Sequence, residues 1–218
     1  MRVMFGSRGC ARDAYWLLHE VRHAAGDDRL DAFIAADGAE EIGSRIRDVR
    51  IVGEGAFFAA HRDDRLELFI GIGTSALRQR VHGKCRANLP NARYPSLLHP
   101  SVRYDRRDGA THLGNGIMIC AGTTLTTEVT LGDFVHVNLH CTIAHCTTIG
   151  AFSTLSPGCH IAGGVVIGEG CFIGAGAVVN ENVRIAARTV IGAGATVVQD
   201  ITLPGTYVGT PARLLVPA

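Results

Sequence analysis

The ten residues Cys141 to Gly150, CTIAHCTTIG, place His145 between two cysteines, with His136 and His140 just upstream. Three chemistries use these residue types. Imidazoles and thiolates together bind zinc. A thiol beside an imidazole is an activated nucleophile. A lone imidazole held near a reacting group is a general base. The element that carries the residues decides among them.

That element is repetitive. Counting forward by six from Leu113 gives Ile119, Leu125, Leu131, Val137, Ile143, Ile149, Leu155, Ile161, Ile167, Ile173, Val179, Ile185, Ile191, Val197 and Leu203. Each step succeeds about a quarter of the time at ordinary composition, so chance does not produce the run. The residue two before each aliphatic is small or β-branched, as at Thr123, Val129, Cys141, Thr147, Ser153, Cys159 and Cys171. Residues two apart share a strand face, so each hexapeptide is one short strand with two inward residues. This is the hexapeptide β-helix pattern, in which strands stack on the next coil. Gly114, Gly132, Gly150, Gly168, Gly174 and Gly192 follow the aliphatic, where a tight corner is expected to need φ > 0.

The period takes the opening cluster apart. Cys141, Cys159 and Cys171 fall on the inward position and read as small core residues. His145, two past Ile143, points outward near a corner, and Gly163 lies eighteen residues on in the same column. The histidine can take a proton, and the bare glycine amide can approach a carbonyl oxygen.

Residues 1–90 follow different rules. RVMF, DAFIA and LELFIGIG read as strands. ARDAYWLLHEVRHA reads as a helix with Ala11, Tyr15, Leu18 and Val21 on its inner face. AEEIGSRI, AFFAAH and TSALRQRV are shorter helical candidates, the last with Thr74 as its cap. Alternating strands and helices predict a small Rossmann-like parallel sheet. The expected organisation is this α/β domain over 1–90, a proline-containing linker leading into the β-helix over 91–112, the β-helix over 113–203 and a C-terminal tail over 204–218. GSRG, Gly6, Ser7, Arg8 and Gly9, offers backbone amides at a helix start, suited to a diphosphate.

Composition narrows the partners. Lys and Arg number 21 against 20 Asp and Glu, with no long basic run, so neither nucleic acid nor an anionic membrane is expected. The seven cysteines include no C-x-x-C pair, and no signal peptide or spanning apolar run is read. Cytoplasmic thiols are the expectation.

The stretch VNLHCTIAHCTTIGAFSTLSPGCHIAGGVVIGEGCFIGAGAVV resembles the NeuD/PglD-type bacterial sugar acetyltransferases. The N-terminal FGSRGCARDAYWLL and the terminal GTYVGTPARLL are similar to the same family. The resemblance implies a left-handed β-helix, a homotrimer with sites between subunits, and acetyl-CoA as cosubstrate without a metal. It implies His145 as general base toward the amino group of a nucleotide-linked sugar. The Gly163 amide would hold the thioester carbonyl. Gly164, Ala175 and Ala193 would lie along the CoA, and Arg213 would meet one of its phosphates. Asn138 and the residue after the histidine would touch the sugar. Gly6 to Gly9 and an acidic group near Asp37 would hold the nucleotide.

Two departures stand out. The family carries an acid where this chain has Cys146, and Ala35 and Ala36 replace two further acids, leaving Asp37. Three other functions fit parts of the pattern. A sugar O-acetyltransferase of the sialic-acid type would use the same base and donor site. A γ-class carbonic-anhydrase-like zinc enzyme would use His140 and His145, with its third histidine near Tyr104. A non-catalytic binding protein would need neither the base nor the donor site.

Overall fold

The computed structural model describes residues 1–215 as two compact units, Met1–Leu97 and Leu98 onward. In the first unit, β1 (Arg2–Phe5), β2 (Ala32–Ala35), β3 (Arg45–Ile46), β4 (Val49–Gly53) and β5 (Glu67–Ile70) form one sheet in the order β3-β4-β2-β1-β5. All pairings are parallel except β3 with β4. Helices α1 (Gly9–Arg22), α2 (Glu54–His61) and α3 (Ser75–Asn88) complete the unit.

Local sequence explains these elements and where the expectations shift. Strands β2 and β1 are buried nearly end to end, as a sheet covered on both faces requires. The inner stripe of α1 is Ala11, Ala14, Leu17 and Leu18. Tyr15 is half-buried instead and meets Phe33 edge-on at 5.4 Å. AEEIGSRI is not a helix. It turns and enters the β3–β4 hairpin, whose tight bend places Arg47 at φ 54. Thr74 takes the N-cap position of α3, but its side chain makes no capping bond.

The second unit is a triangular parallel β-helix. Strands pair with strands eighteen residues away, as Thr130–Thr148–Val166–Arg184, His136–Thr154–Phe172–Val190 and Thr142–His160–Val178–Thr196. The hexad aliphatics from Ile119 to Val197 are all buried. Full burial of such a side chain is worth roughly 1.5–3 kcal/mol, which makes this column the main source of stability. Leu113 is half-buried, and Leu203 is 67% exposed. The period slips in the last coil, where Ile201 bridges Ile185 and Thr206 pairs with Val190. Ile201 therefore fills the place that Leu203 was expected to take.

The inward small residues do more than fill space. Thr123, Thr147 and Ser153 donate their hydroxyls to the carbonyls of Asn138, Ala162 and Gly168 at 2.9–3.1 Å. Cys141, Cys159 and Cys171 donate their thiols to Ser156, Gly174 and Ala186, each at 3.2 Å. Every acceptor lies fifteen residues after its donor. Sulfur acts here as a weak donor in a slot otherwise used by hydroxyls.

The corner glycines correct the sequence reading. From Gly116 to Gly194 every sixth residue has a positive φ, between 55° and 72°. These are not the glycines that follow the aliphatics. Gly132, Gly150 and Gly174 instead lack room for a side chain, because a Cβ would stand 2.5–2.6 Å from a backbone nitrogen of the next coil. The left-handed positions are shared between glycine and Glu128, Phe134, His140, Cys146, Phe152, Asn182 and Arg188. A non-glycine residue there costs roughly 1–2 kcal/mol, so its side chain must return something.

Candidate active site

His145 sits at the corner between the Thr142–Ile143 and Thr148–Ile149 strands. Its backbone is pinned from both neighbouring coils. Cys146 N–H donates to the Thr127 carbonyl at 3.2 Å, and Gly164 N–H donates to the His145 carbonyl at 2.8 Å. Ala144 N–H is fixed on Ile161. With the corner held, the imidazole lies against Gly163. A Cβ on Gly163 would stand 2.6 Å from His145 Cε1 and 2.7 Å from Nε2. The ring therefore occupies the volume that any other residue at 163 would fill.

The Gly163 amide makes no backbone ladder bond among the described residues, whereas its carbonyl accepts from Asn182. An imidazole base thus stands beside an open N–H. One can take a proton while the other faces a developing oxyanion.

Cys146 is exposed, at φ 59, and donates its thiol to Glu128 Oε2 at 3.0 Å. That bond pushes the thiol pKa up, because a carboxylate disfavours the adjacent thiolate. A nucleophilic cysteine needs the opposite shift, so Cys146 does not fit a covalent acyl-enzyme. Asn138 Oδ1 accepts from the Leu139 amide at 2.8 Å, a local turn bond that leaves its NH₂ to face outward partners.

Ala175 and Ala193 stack at a different corner, in the column of Leu139 and Pro157. Beside them Gly158, Gly176 and Gly194 leave a bare floor; at Gly176 and Gly194 a Cβ would touch nothing within 4 Å. His140 closes the same column at its upper end by packing over Gly122. One chain thus separates His145 from Ala175 and Ala193, and separates His140 from His145. Gly164 lies beneath the Asn182 side chain. Arg213 is exposed and donates to its own neighbour, the Ala212 carbonyl.

In the α/β unit, a cavity of about 520 Å³ opens at the C-terminal ends of β1, β2 and β5. Strand order reverses between β1 and β5, which is where open α/β sheets bind ligands. Gly6 and Gly71 face each other there; a Cβ on Gly6 would stand 2.7 Å from the Gly71 carbonyl oxygen, and φ at Gly6 is 110°. Gly6, Ser7 and Arg8 line the cavity as expected. Gly9 and Asp37 do not line it. Asp37 Oδ1 instead accepts from Gly55 N–H in the first turn of α2. The cavity's acids are Glu41 and Glu54, which sequence reasoning missed. Glu41 accepts from Ser7 Oγ at 2.7 Å, a bond that lowers its pKa, and Glu54 pairs with Lys84 at 2.5 Å. Arg78, fully buried, donates to the Ile72 and Gly73 carbonyls and shapes the β5–α3 loop of the wall. Burial lowers its pKa to about 10.

The family model for bacterial transferase hexapeptide repeats matches residues 146–181 and 164–199. PerB from Caulobacter crescentus, solved with CoA and GDP-perosamine, is 30% identical; the match covers 99% of this chain and 97% of that one, with a TM-score of 0.84. This chain belongs to the hexapeptide-repeat sugar acetyltransferases. The acetyltransferase domain of PglB from Neisseria gonorrhoeae shares the fold, at 23% identity and a TM-score of 0.81 over 98% of both chains. GDP-perosamine N-acetyltransferase of Escherichia coli O157:H7 is 29% identical over 157 residues, which is 71% of this chain and 66% of that protein's length. The β-helix read from the hexad, its left-handed form implied by the family resemblance, and the small α/β unit read from the alternating N-terminal elements all stand. Among the described residues, no helix is long and apolar enough to cross a membrane.

Proposed function

We propose that this protein transfers the acetyl group of acetyl-CoA directly to an amino group of a nucleotide-linked sugar. The observation that carries the reading is His145 seated on Gly163 beside an open backbone amide. In this reaction the acceptor nitrogen attacks the thioester carbon as His145 takes the amine proton. The carbonyl oxygen turns toward Gly163 N–H. The C–S bond then breaks, and CoA leaves as the thiol with the proton relayed by His145.

The nucleotide occupies the α/β cavity, with its diphosphate at Gly6, Ser7 and Arg8 and the first-turn amides of α1. Ala175 and Ala193 lie on another corner than His145, so the CoA groove takes its two walls from two copies of the chain. A homotrimer supplies three such grooves, each with Arg213 near a CoA phosphate. Acetyl-CoA as donor and seven free thiols suit a cytoplasmic enzyme. An amine is favoured over a hydroxyl because the two GDP-perosamine relatives match this chain across both units or most of it.

The test is to incubate the protein with acetyl-CoA and GDP-perosamine. CoA release and a product carrying one added acetyl group are expected. Acetylation of hydroxyl sugars alone would replace this reading with the O-acetyltransferase one.

A further inference from the structure

A base that becomes a cation during turnover needs a group that steadies that charge, and among the described residues no carboxylate bonds either ring nitrogen of His145. Two carboxylates approach its corner. Asp105 is held by Arg107 through Oδ1 and Oδ2 and by the Thr127 side chain, so its charge is already answered. Glu128 makes no ion pair among the described residues. It stands one coil before Cys146, in the same left-handed column, and reaches along that column to the thiol adjoining His145. Glu181, two coils beyond His145 in the histidine's own column, is exposed and pointed to no described partner.

Glu128 adopts φ 57, a conformation that seven glycines of the same series adopt without strain. A glutamate kept there has a use for its side chain beyond the corner itself. Its reach sets a negative charge on the thiol of the residue that follows the histidine.

We propose that Glu128 is a positioning residue for the acetyl transfer, acting through Cys146 to hold a carboxylate beside the His145 imidazole as it takes the acceptor's proton. This rests on the acetyltransferase reading above for its kinetic arm only. Glu128 touches neither CoA nor acceptor in this scheme, so its loss lowers kcat and spares the KM for acetyl-CoA.

The experiment uses the full chain in two arms. The first is acceptor-independent and reads alkylation of Cys146 by iodoacetamide, located by peptide mass spectrometry. Glu128→Gln is expected to alkylate several-fold faster, because the carboxylate that holds the thiol protonated is gone. The second arm measures acetyl transfer to GDP-perosamine. Glu128→Gln is expected to lose about tenfold in kcat, with the KM for acetyl-CoA within twofold of the parent. Adding Cys146→Glu to Glu128→Gln is expected to restore most of kcat; the Glu128 backbone itself shows that a glutamate is accepted at this corner conformation. An unchanged alkylation rate at Cys146 overturns the contact. An unchanged kcat, or a loss that Cys146→Glu does not relieve in a folded double variant, overturns the positioning role. Absence of transfer by the parent protein would count against the acceptor assignment instead, and the alkylation arm would still decide the contact.

Discussion

The His145 imidazole rests on the Cα of Gly163 one coil further along, in the space where any other residue would carry its Cβ. The contact joins the base to the amide that faces the thioester. Gly163→Ala would place a methyl 2.6 Å from Cε1, and both the ring and the coil would have to give. Because the corner backbone is pinned by ladder bonds, the ring is the part that moves. A displacement of about 1 Å at a reacting group can cost on the order of 100-fold in rate. Gly163→Ala is therefore expected to lose about 10- to 100-fold in kcat while circular dichroism stays that of the parent. Parent-level turnover in this variant would dissolve the link between the two residues.

His145→Ala tests the base directly. Removing a general base costs typically 10²–10⁴-fold. The imidazole is not part of the bare strip of Gly158, Gly176 and Gly194, so acetyl-CoA affinity by calorimetry is expected to stay within a fewfold of the parent. If turnover survived at the parent rate, proton transfer would have to run through another group.

Much of this was legible before any coordinates. The hexad fixed the β-helix and placed the inward thiols, because a period of six allows only one arrangement of short stacked strands. It also placed His145 above Gly163. Three things were not legible. The Glu128–Cys146 contact joins residues eighteen apart through a side chain's reach, which no spacing rule specifies. Glu41 and Glu54 enter the α/β cavity from the segment read as helix and from the start of α2, so their roles depended on elements that tertiary packing decided. The β3–β4 hairpin was hidden because Arg45, Arg47, Asp48 and Arg50 crowd a short alternation whose buried members are only Ile46, Val49 and Ile51.

The two classes of corner glycine separate experimentally. Gly150 is needed for close approach: its Cβ would stand 2.5 Å from Glu169 N, which is backbone and cannot yield cheaply. For folding, Gly176 is needed only for its φ of 68°, because a Cβ there meets nothing of its own chain within 4 Å. Asparagine tolerates the left-handed region, as Asn182 does in this same series. Gly176→Asn is expected to cost about 1 kcal/mol or less, and Gly150→Ala several-fold more, read as denaturant midpoints. Equal costs would show that conformation, not approach, governs both.

Asp105 carries a pH signature. Hydrogen bonds from Arg107 and Thr127 hold its carboxyl well below the usual carboxylate range. A depressed folded value means that the stabilisation is present above the unfolded pKa, about 3.9, and is lost as pH falls toward the folded one. The stability gap between the parent and Asp105→Asn is expected to be level above about pH 5 and to close in acid. Asp105 is half-buried but its partner Arg107 is 80% exposed, so solvent screens the pair and the gap is small, and its sign with pH is the informative part. A gap that widened in acid would reverse the assignment.

The interior donors allow a last comparison between chemically identical substitutions. Thr147 Oγ1 donates to Ala162 O at 3.1 Å, fifteen residues on. Thr189 occupies the equivalent inward slot and is fully buried, yet among the described residues its Oγ1 has no hydrogen-bond partner. The cause is the shortened last coil: Thr206 pairs with Val190 two residues early, so the carbonyl fifteen residues after Thr189 is no longer in place. Valine matches threonine in shape and lacks the hydroxyl. Thr147→Val removes a made bond and leaves the Ala162 carbonyl short of a donor, a loss of about 1 kcal/mol. Thr189→Val removes a buried hydroxyl that bonds to nothing, which is neutral or stabilising by up to about 1 kcal/mol. Thermal or denaturant unfolding of the two variants reads the difference, and a Thr189→Val as costly as Thr147→Val would mean that the Thr189 hydroxyl is satisfied after all.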